Sequence, residues 1–183
     1  LMPSGFEVLA LRSQLDMEIN WRKTSGNKTF LFIFTIFWNA CLIPFVIVAL
    51  TSGEWKVMLF LSLHLMVGIG FLYYTLAVLL NTTYVNVTPR RITINHKPLN
   101  VIGRPEQDIS ATDVEQLFVN KYSTGKTNNR PTYAFGVYAV LNGGRQIALV
   151  KGLRHPDQAR YIEQEVEHFL NIEDELMEEE RRG

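Results

Sequence analysis

Phe30–Leu50 reads FLFIFTIFWNACLIPFVIVAL and Val57–Leu80 reads VMLFLSLHLMVGIGFLYYTLAVLL, with Thr51–Lys56, TSGEWK, between them. Each apolar run matches the roughly 20 residues a helix needs to cross a bilayer, and neither contains Lys, Arg, Asp or Glu. The pair predicts a transmembrane helical hairpin over 30–80, with spans at 30–50 and 57–80. The first run begins too late, is too long and lacks a small-residue cleavage site, so it does not read as a signal peptide.

Outward from the hairpin, Arg22, Lys23 and Lys28 precede it and Arg90, Arg91 and Lys97 follow it, against Lys56 alone in the connecting turn. The positive-inside rule therefore predicts cytoplasmic termini and a turn on the opposite side. Trp55, Tyr73, Tyr74 and Tyr84 suit interfacial belts. The three N-x-T sequons, at Asn27, Asn81 and Asn86, then fall on the cytoplasmic side and carry no weight.

The 183 residues hold 18 Lys plus Arg and 18 Asp plus Glu, so net charge is zero. No segment is basic enough to hold nucleic acid by charge alone, and none is expected as a partner. Mean hydropathy is near zero only because apolar and polar blocks are averaged. Cys41 is the single cysteine, which leaves no intrachain disulfide and no Cys-based zinc site. Because the sequence opens on Leu1, a preceding segment is expected.

Before the hairpin, Leu15, Met17, Ile19 and Trp21 alternate with polar residues, which predicts a strand with one buried face. Residues 1–29 are expected to pack on a soluble domain at 81–172. That domain starts with short β-branched runs at Thr83–Val87 and Arg91–His96, followed by 116–122, 132–141 and 146–150. Asn142-Gly143 is expected to supply the positive-φ residues of a hairpin turn. His155-Pro156-Asp157 opens an amphipathic helix, with Ala159, Ile162, Val166, Phe169 and Leu170 on the apolar face and Gln158, Glu163, Glu165 and Glu167 expected to face away. The acidic tail, 173–183, reads as a frayed extension of it.

Site candidates are few. His64 is a polar residue inside a span, and a neutral imidazole can hold haem iron or a chlorophyll-type pigment, so His64 is the candidate cofactor-binding residue. The competing expectation is that His64 satisfies the Ala40 carbonyl, which Pro44 cannot serve as a donor. Asn39 reads as interhelical glue. Arg90, Arg91 and Lys97 are the candidate lipid-binding residues, joined by Lys121, Lys126 and Arg130 in a basic surface facing anionic head groups. Ser123–Thr127, STGKT, ends like a phosphate-binding loop but has Asn120 where the first glycine belongs, and it reads as a polar hairpin loop. His96, His155 and His168 are scattered without metal-ligand spacing. No catalytic residue and no metal ligand set is expected.

The stretches NTTYVNVTPRRITI, DISATDVEQLFV and GGRQIALVKGL, with the helix HPDQARYIEQEVEHFL, resemble bacterial pleckstrin-homology-like membrane proteins. FEVLALRSQLDMEINWRK, FTIFWNACLIPF and LLNTTYVNVTPRR are similar to a widespread bacterial group with this layout, whose members often carry a small zinc-ribbon-like segment ahead of it. The layout is also similar to that of the photosystem I assembly factor with two membrane helices. The resemblance implies an α+β membrane protein: a helical hairpin plus an antiparallel split β-barrel capped by a C-terminal helix. It also implies residence in the bacterial inner membrane and a non-enzymatic accessory, scaffold or assembly role in a larger membrane complex, photosynthetic or respiratory. Expected partners are membrane lipids and other integral-membrane subunits. Anionic head-group sensing and pigment or haem binding through His64 are the alternatives.

Overall fold

A computed structural model describes residues 2–24, 28–101, 104–127 and 129–172. The acidic tail and the sequon asparagine at 27 lie outside them. In chain order the elements are β1 (Phe6–Leu11), β2 (Gln14–Asn20), α1 (Trp21–Thr24), α2 (Lys28–Ser52), α3 (Trp55–Leu80), β3 (Thr82–Val87), β4 (Arg91–Lys97), β5 (Gln107–Ser110), β6 (Val114–Thr127), β7 (Arg130–Leu141), β8 (Arg145–Leu153) and α4 (Pro156–Leu170).

Helices α2 and α3 are long and apolar enough to cross a membrane. The rest of the described chain does not enclose them: only 6% and 22% of their most apolar windows are buried. Such a continuous exposed apolar surface is far larger than a water-soluble monomer presents. The turn between them is tighter than the six-residue TSGEWK segment suggested. Gly53 takes φ +66, its N–H reaches the Ala49 carbonyl at 3.3 Å, and α3 starts two residues later.

The helices meet along one seam. Near its open end the Thr35 and Thr75 hydroxyls share a hydrogen bond of 2.7 Å. One turn on, the Asn39 amide donates to the Thr35 carbonyl at 2.9 Å and to the Gly68 carbonyl at 3.3 Å. Gly68 leaves room for this contact, since a Cβ would stand 2.8 Å from Asn39 Oδ1 and the amide would have to shift. Leu42, Ala49 and Leu61 close the remainder.

Two antiparallel sheets follow, with strand orders β1-β2-β3-β4-β5 and β6-β7-β8 and no closed barrel. Their inner faces and α4 share one core, which includes Met17, Val85, Ile94, Leu117, Val137, Leu149 and Ile162. Alternation of side chains sorts the residues: Leu15, Met17 and Ile19 of β2, Val85 and Val87 of β3, and Ile92 and Ile94 of β4 all point inward. The chain passes from one sheet to the other through a single 3-10 turn, Ala111–Asp113.

Several expectations change. The N-terminal strand is not single: β1 pairs with β2 around a two-residue Arg12-Ser13 turn. Trp21 does not continue the β2 alternation but begins α1. In the β7–β8 turn the positive-φ residues are Gly143 and Gly144 rather than Asn142 and Gly143. Ser123–Thr127 is the end of β6 rather than a loop, because β6 and β7 pair out to Thr127 and Arg130. On α4, Gln158, Glu163 and Glu167 are buried rather than solvated. Gln158 Oε1 accepts from the Arg154 and His155 amides, and Glu167 Oε1 accepts from the Leu117 amide at 3.3 Å, so polar side chains serve backbone donors at the helix–sheet contact.

Candidate functional site

The two flanks of the hairpin converge where α3 passes into β3 without a linker. Asn81 caps α3, is fully buried and clamps the 98–101 segment: its amide donates to the Leu99 carbonyl at 2.7 Å, and its carbonyl oxygen accepts from the Leu99 N–H at 2.8 Å. The Trp21 N–H donates to the Asn81 carbonyl at 3.1 Å, and the Tyr73 hydroxyl donates to the Asn100 carbonyl. The β-domain is therefore fixed to the hairpin at three points.

Directly above this joint the core changes character. Rows of inward residues cross β2, β3 and β4, and the first two are apolar: Leu15–Val87–Ile92 and Met17–Val85–Ile94. The third, nearest the hairpin, is Ile19–Thr83–His96. Trp21 Nε1 donates to Thr83 Oγ1 at 2.6 Å, and Thr83 Oγ1 lies 2.8 Å from His96 Nδ1. Indole N–H can only donate, so Thr83 Oγ1 accepts from Trp21 and links it to the His96 ring. Burial, and secondarily the charge of Arg104, lower the His96 pKa from 6.5 to about 4, so the ring is neutral.

Arg104 completes the group. Its guanidinium lies 4.2 Å from the centre of the Trp21 ring and crosses Gly152 so closely that a Cβ there would be 2.7 Å from a guanidinium nitrogen. Gly152 has φ +83, and its N–H is held by the Tyr122 hydroxyl at 2.8 Å. Burial pulls the Arg104 pKa down, while Tyr74 and Tyr122 oppose that shift. The guanidinium makes no hydrogen bond or ion pair with a described residue.

These residues line a cavity of about 520 Å³ between β4, β5 and β8. Arg145, Lys151 and Asp108 are among its lining residues, with Lys151 Nζ 5.8 Å from the centre of the Tyr138 ring and Asp108 engaged by Arg91 at 3.1 Å. Gln107 spans the sheets, its amide donating to the Ala148 carbonyl at 2.7 Å, while its oxygen is buried with no donor. The cavity thus offers cationic donors. Thr83 and His96 form a hydroxyl–imidazole contact in its lining, and among the described residues no group of three His, Cys, Asp or Glu side chains could hold a metal.

The residues expected from the sequence lie elsewhere. His64 does not meet the Ala40 carbonyl. Its Nδ1 bonds the Phe60 carbonyl one turn back on its own helix at 3.0 Å, and its ring packs beside Phe60 and Trp38, because a histidine on a helix reaches its own preceding turn most easily. Nε2 is then the nitrogen that would face a ligand. Arg90, Arg91 and Lys97 are exposed and not gathered into one patch: Lys97 pairs with Thr82 beside the hairpin, whereas Arg91 is six residues away along β4, about 20 Å at the usual strand rise. Lys121 covers the Tyr133 ring at 4.5 Å.

Arg104 and His96 were missed as a pair. Strand alternation does place His96 on the inner face with Ile92 and Ile94, and that signal was available. Nothing in the sequence joins Trp21 to Thr83, 62 residues on. No protein-family model matches the chain, and no curated protein matches it.

Proposed function

We propose that this chain is a non-enzymatic integral-membrane accessory, scaffold or assembly subunit. The hairpin crosses the bilayer, and both flanks and the pleckstrin-homology-like β-domain lie on the cytoplasmic side. The observation that carries this is the rigid joint between hairpin and β-domain at Asn81, Trp21 and Tyr73, next to helices whose outer faces are apolar and uncovered. A domain attached in this way presents one fixed surface at one height above the membrane, which suits holding a partner in register. The helix faces offer Phe37 at 64% and Phe45 at 61% exposure for packing against other membrane helices.

The test is extraction from the native membrane in mild detergent, followed by native sizing. The chain is expected to run with a stoichiometric membrane-protein partner that is lost when Phe37 and Phe45 are replaced by Leu. A chain that runs alone with its hairpin intact overturns the proposal.

A further inference from the structure

The second sheet carries a charge pattern that the scaffold role does not use. Between Glu115 and Asp157 the sequence has no further Asp or Glu, but it has Lys121, Lys126, Arg130, Arg145, Lys151 and Arg154. Two of these cations, Lys126 and Arg130, stand where the sheet ends and two strands go on alone. β8 pairs with β7 only as far as Phe135, opposite Leu153, whereas β6 and β7 stay paired out to Thr127 and Arg130. Past Phe135 the hairpin is therefore a two-stranded ribbon, turned through Asn129 at φ +61. Residues 123–126 and 129–131 are exposed, which leaves both faces of the ribbon uncovered. Two strands alone are marginal in water unless something supports them.

The course of β6 fixes where the ribbon points. The strand starts at the end of the β-domain remote from the hairpin, just after Ala111, whose N–H donates to the Arg90 carbonyl in the β3–β4 turn. It reaches the joint at Tyr122, whose hydroxyl accepts from the Gly152 N–H beside Arg104, and Arg104 lies over Trp21. The remaining five residues of β6, about 17 Å at the usual strand rise, carry the ribbon past the joint to the side from which α2 and α3 leave.

We propose that the tip of the β6–β7 ribbon rests on the anionic surface of the leaflet next to the β-domain, with Lys126 and Arg130 as the cations that meet lipid phosphates. Lys126 pairs with Pro131 and Arg130 with Thr127, so the two cations lie on opposite faces, and a ribbon that enters the head-group layer tip first uses both. Neither forms an ion pair with a described residue. Lys121 is not part of the contact, because its Nζ lies 4.5 Å from the centre of the Tyr133 ring, further back on the ribbon. The contact gives the β-domain a second support besides the joint and holds its tilt over the bilayer. It rests on the membrane placement proposed above.

The test uses the full chain in a Cys41→Ser background, in nanodiscs of phosphatidylcholine with and without phosphatidylglycerol. An environment-sensitive dye is attached at Thr124→Cys on the ribbon or, as reference, at Asn142→Cys in the β7–β8 turn, whose N–H bonds the Asp113 carbonyl at the remote end of the domain. Phosphatidylglycerol is expected to shift the Thr124 dye to the blue and bring it within reach of a head-group-linked quencher, and high salt is expected to reverse both. Lys126→Gln with Arg130→Gln, both at exposed positions, should lower docking roughly twenty-five-fold, about fivefold for each cation, while Arg145→Gln at the remote end of β8 leaves it unchanged. A Thr124 dye that reads the same with and without phosphatidylglycerol, a response untouched by the double substitution, or an equal response from the Asn142 dye overturns the ribbon contact and leaves the membrane placement standing. A chain that stays in solution without detergent and does not enter nanodiscs overturns the membrane placement and the contact with it.

Discussion

Lowering the pH from 7 to 5 is expected to destabilise the β-domain through one side chain, His96. The ring is buried, hydrogen-bonds the Thr83 hydroxyl and feels the Arg104 charge, and its pKa falls from 6.5 to about 4. The unfolded chain holds the ordinary value, so between pH 6.5 and 4 it binds more protons than the folded one. Stability is therefore complete above pH 6.5, falls as pH drops through this window and levels off below about 4. The full loss is about 3 kcal/mol, at about 1.4 kcal/mol per pH unit, and about 2 kcal/mol has gone by pH 5. Besides Arg104, the charged groups that line the cavity are Asp108, Arg145 and Lys151. The assay is denaturant unfolding of the full chain in detergent, followed by tryptophan fluorescence at pH 7, 6 and 5. His96→Gln, which cannot titrate, serves as reference and removes the contribution of surface carboxylates. The difference between the two proteins should shrink by about 2 kcal/mol from pH 7 to pH 5. Parallel curves would refute the assignment of a neutral, buried His96.

Other expectations follow from single contacts. Asn81→Ala leaves the Leu99 N–H and carbonyl without partners and should cost about 1–3 kcal/mol, measured by unfolding, with faster protease cleavage in the 98–101 segment. In a Cys41→Ser background, Thr35→Cys with Thr75→Cys should crosslink readily on oxidation, since the hydroxyls touch at 2.7 Å; adding Gly68→Leu should suppress the crosslink by prising the helices apart. Glu167→Ala, which strips the Leu117 amide of its acceptor at the helix–sheet contact, should lower stability by about 1–3 kcal/mol, with Glu167→Gln recovering much of it.

The elements legible in the sequence were those whose side chains repeat. The hairpin keeps its apolar composition, and the Leu15–Ile19 alternation and the Ala159–Leu170 stripe keep their period, over several residues, and each element is where the pattern put it. β1 escaped because FEVLAL carries apolar residues on both faces and Arg12-Ser13 lacks the Gly, Asn or Asp that marks a two-residue turn. β5 escaped because QDIS is short and polar and exists only by pairing with β4. The buried glutamates of α4 broke the usual rule because the Leu117 amide lies opposite Glu167, and that is a property of the assembled sheet. The site was hidden for the same reason: Trp21, Thr83, His96, Arg104 and Gly152 come from five separate places in the chain.

The central claim is that the hairpin is inserted with the β-domain on the side of both its flanks. In a Cys41→Ser background, single cysteines at Glu54 in the turn and Lys126 on the β-domain can be labelled in sealed cells with an impermeant maleimide, after alkaline extraction has shown that the chain stays in the membrane. The account predicts labelling of Glu54→Cys from outside and of Lys126→Cys only after the membrane is opened. Release of the chain by alkali, or equal labelling of both positions from one side, would contradict it.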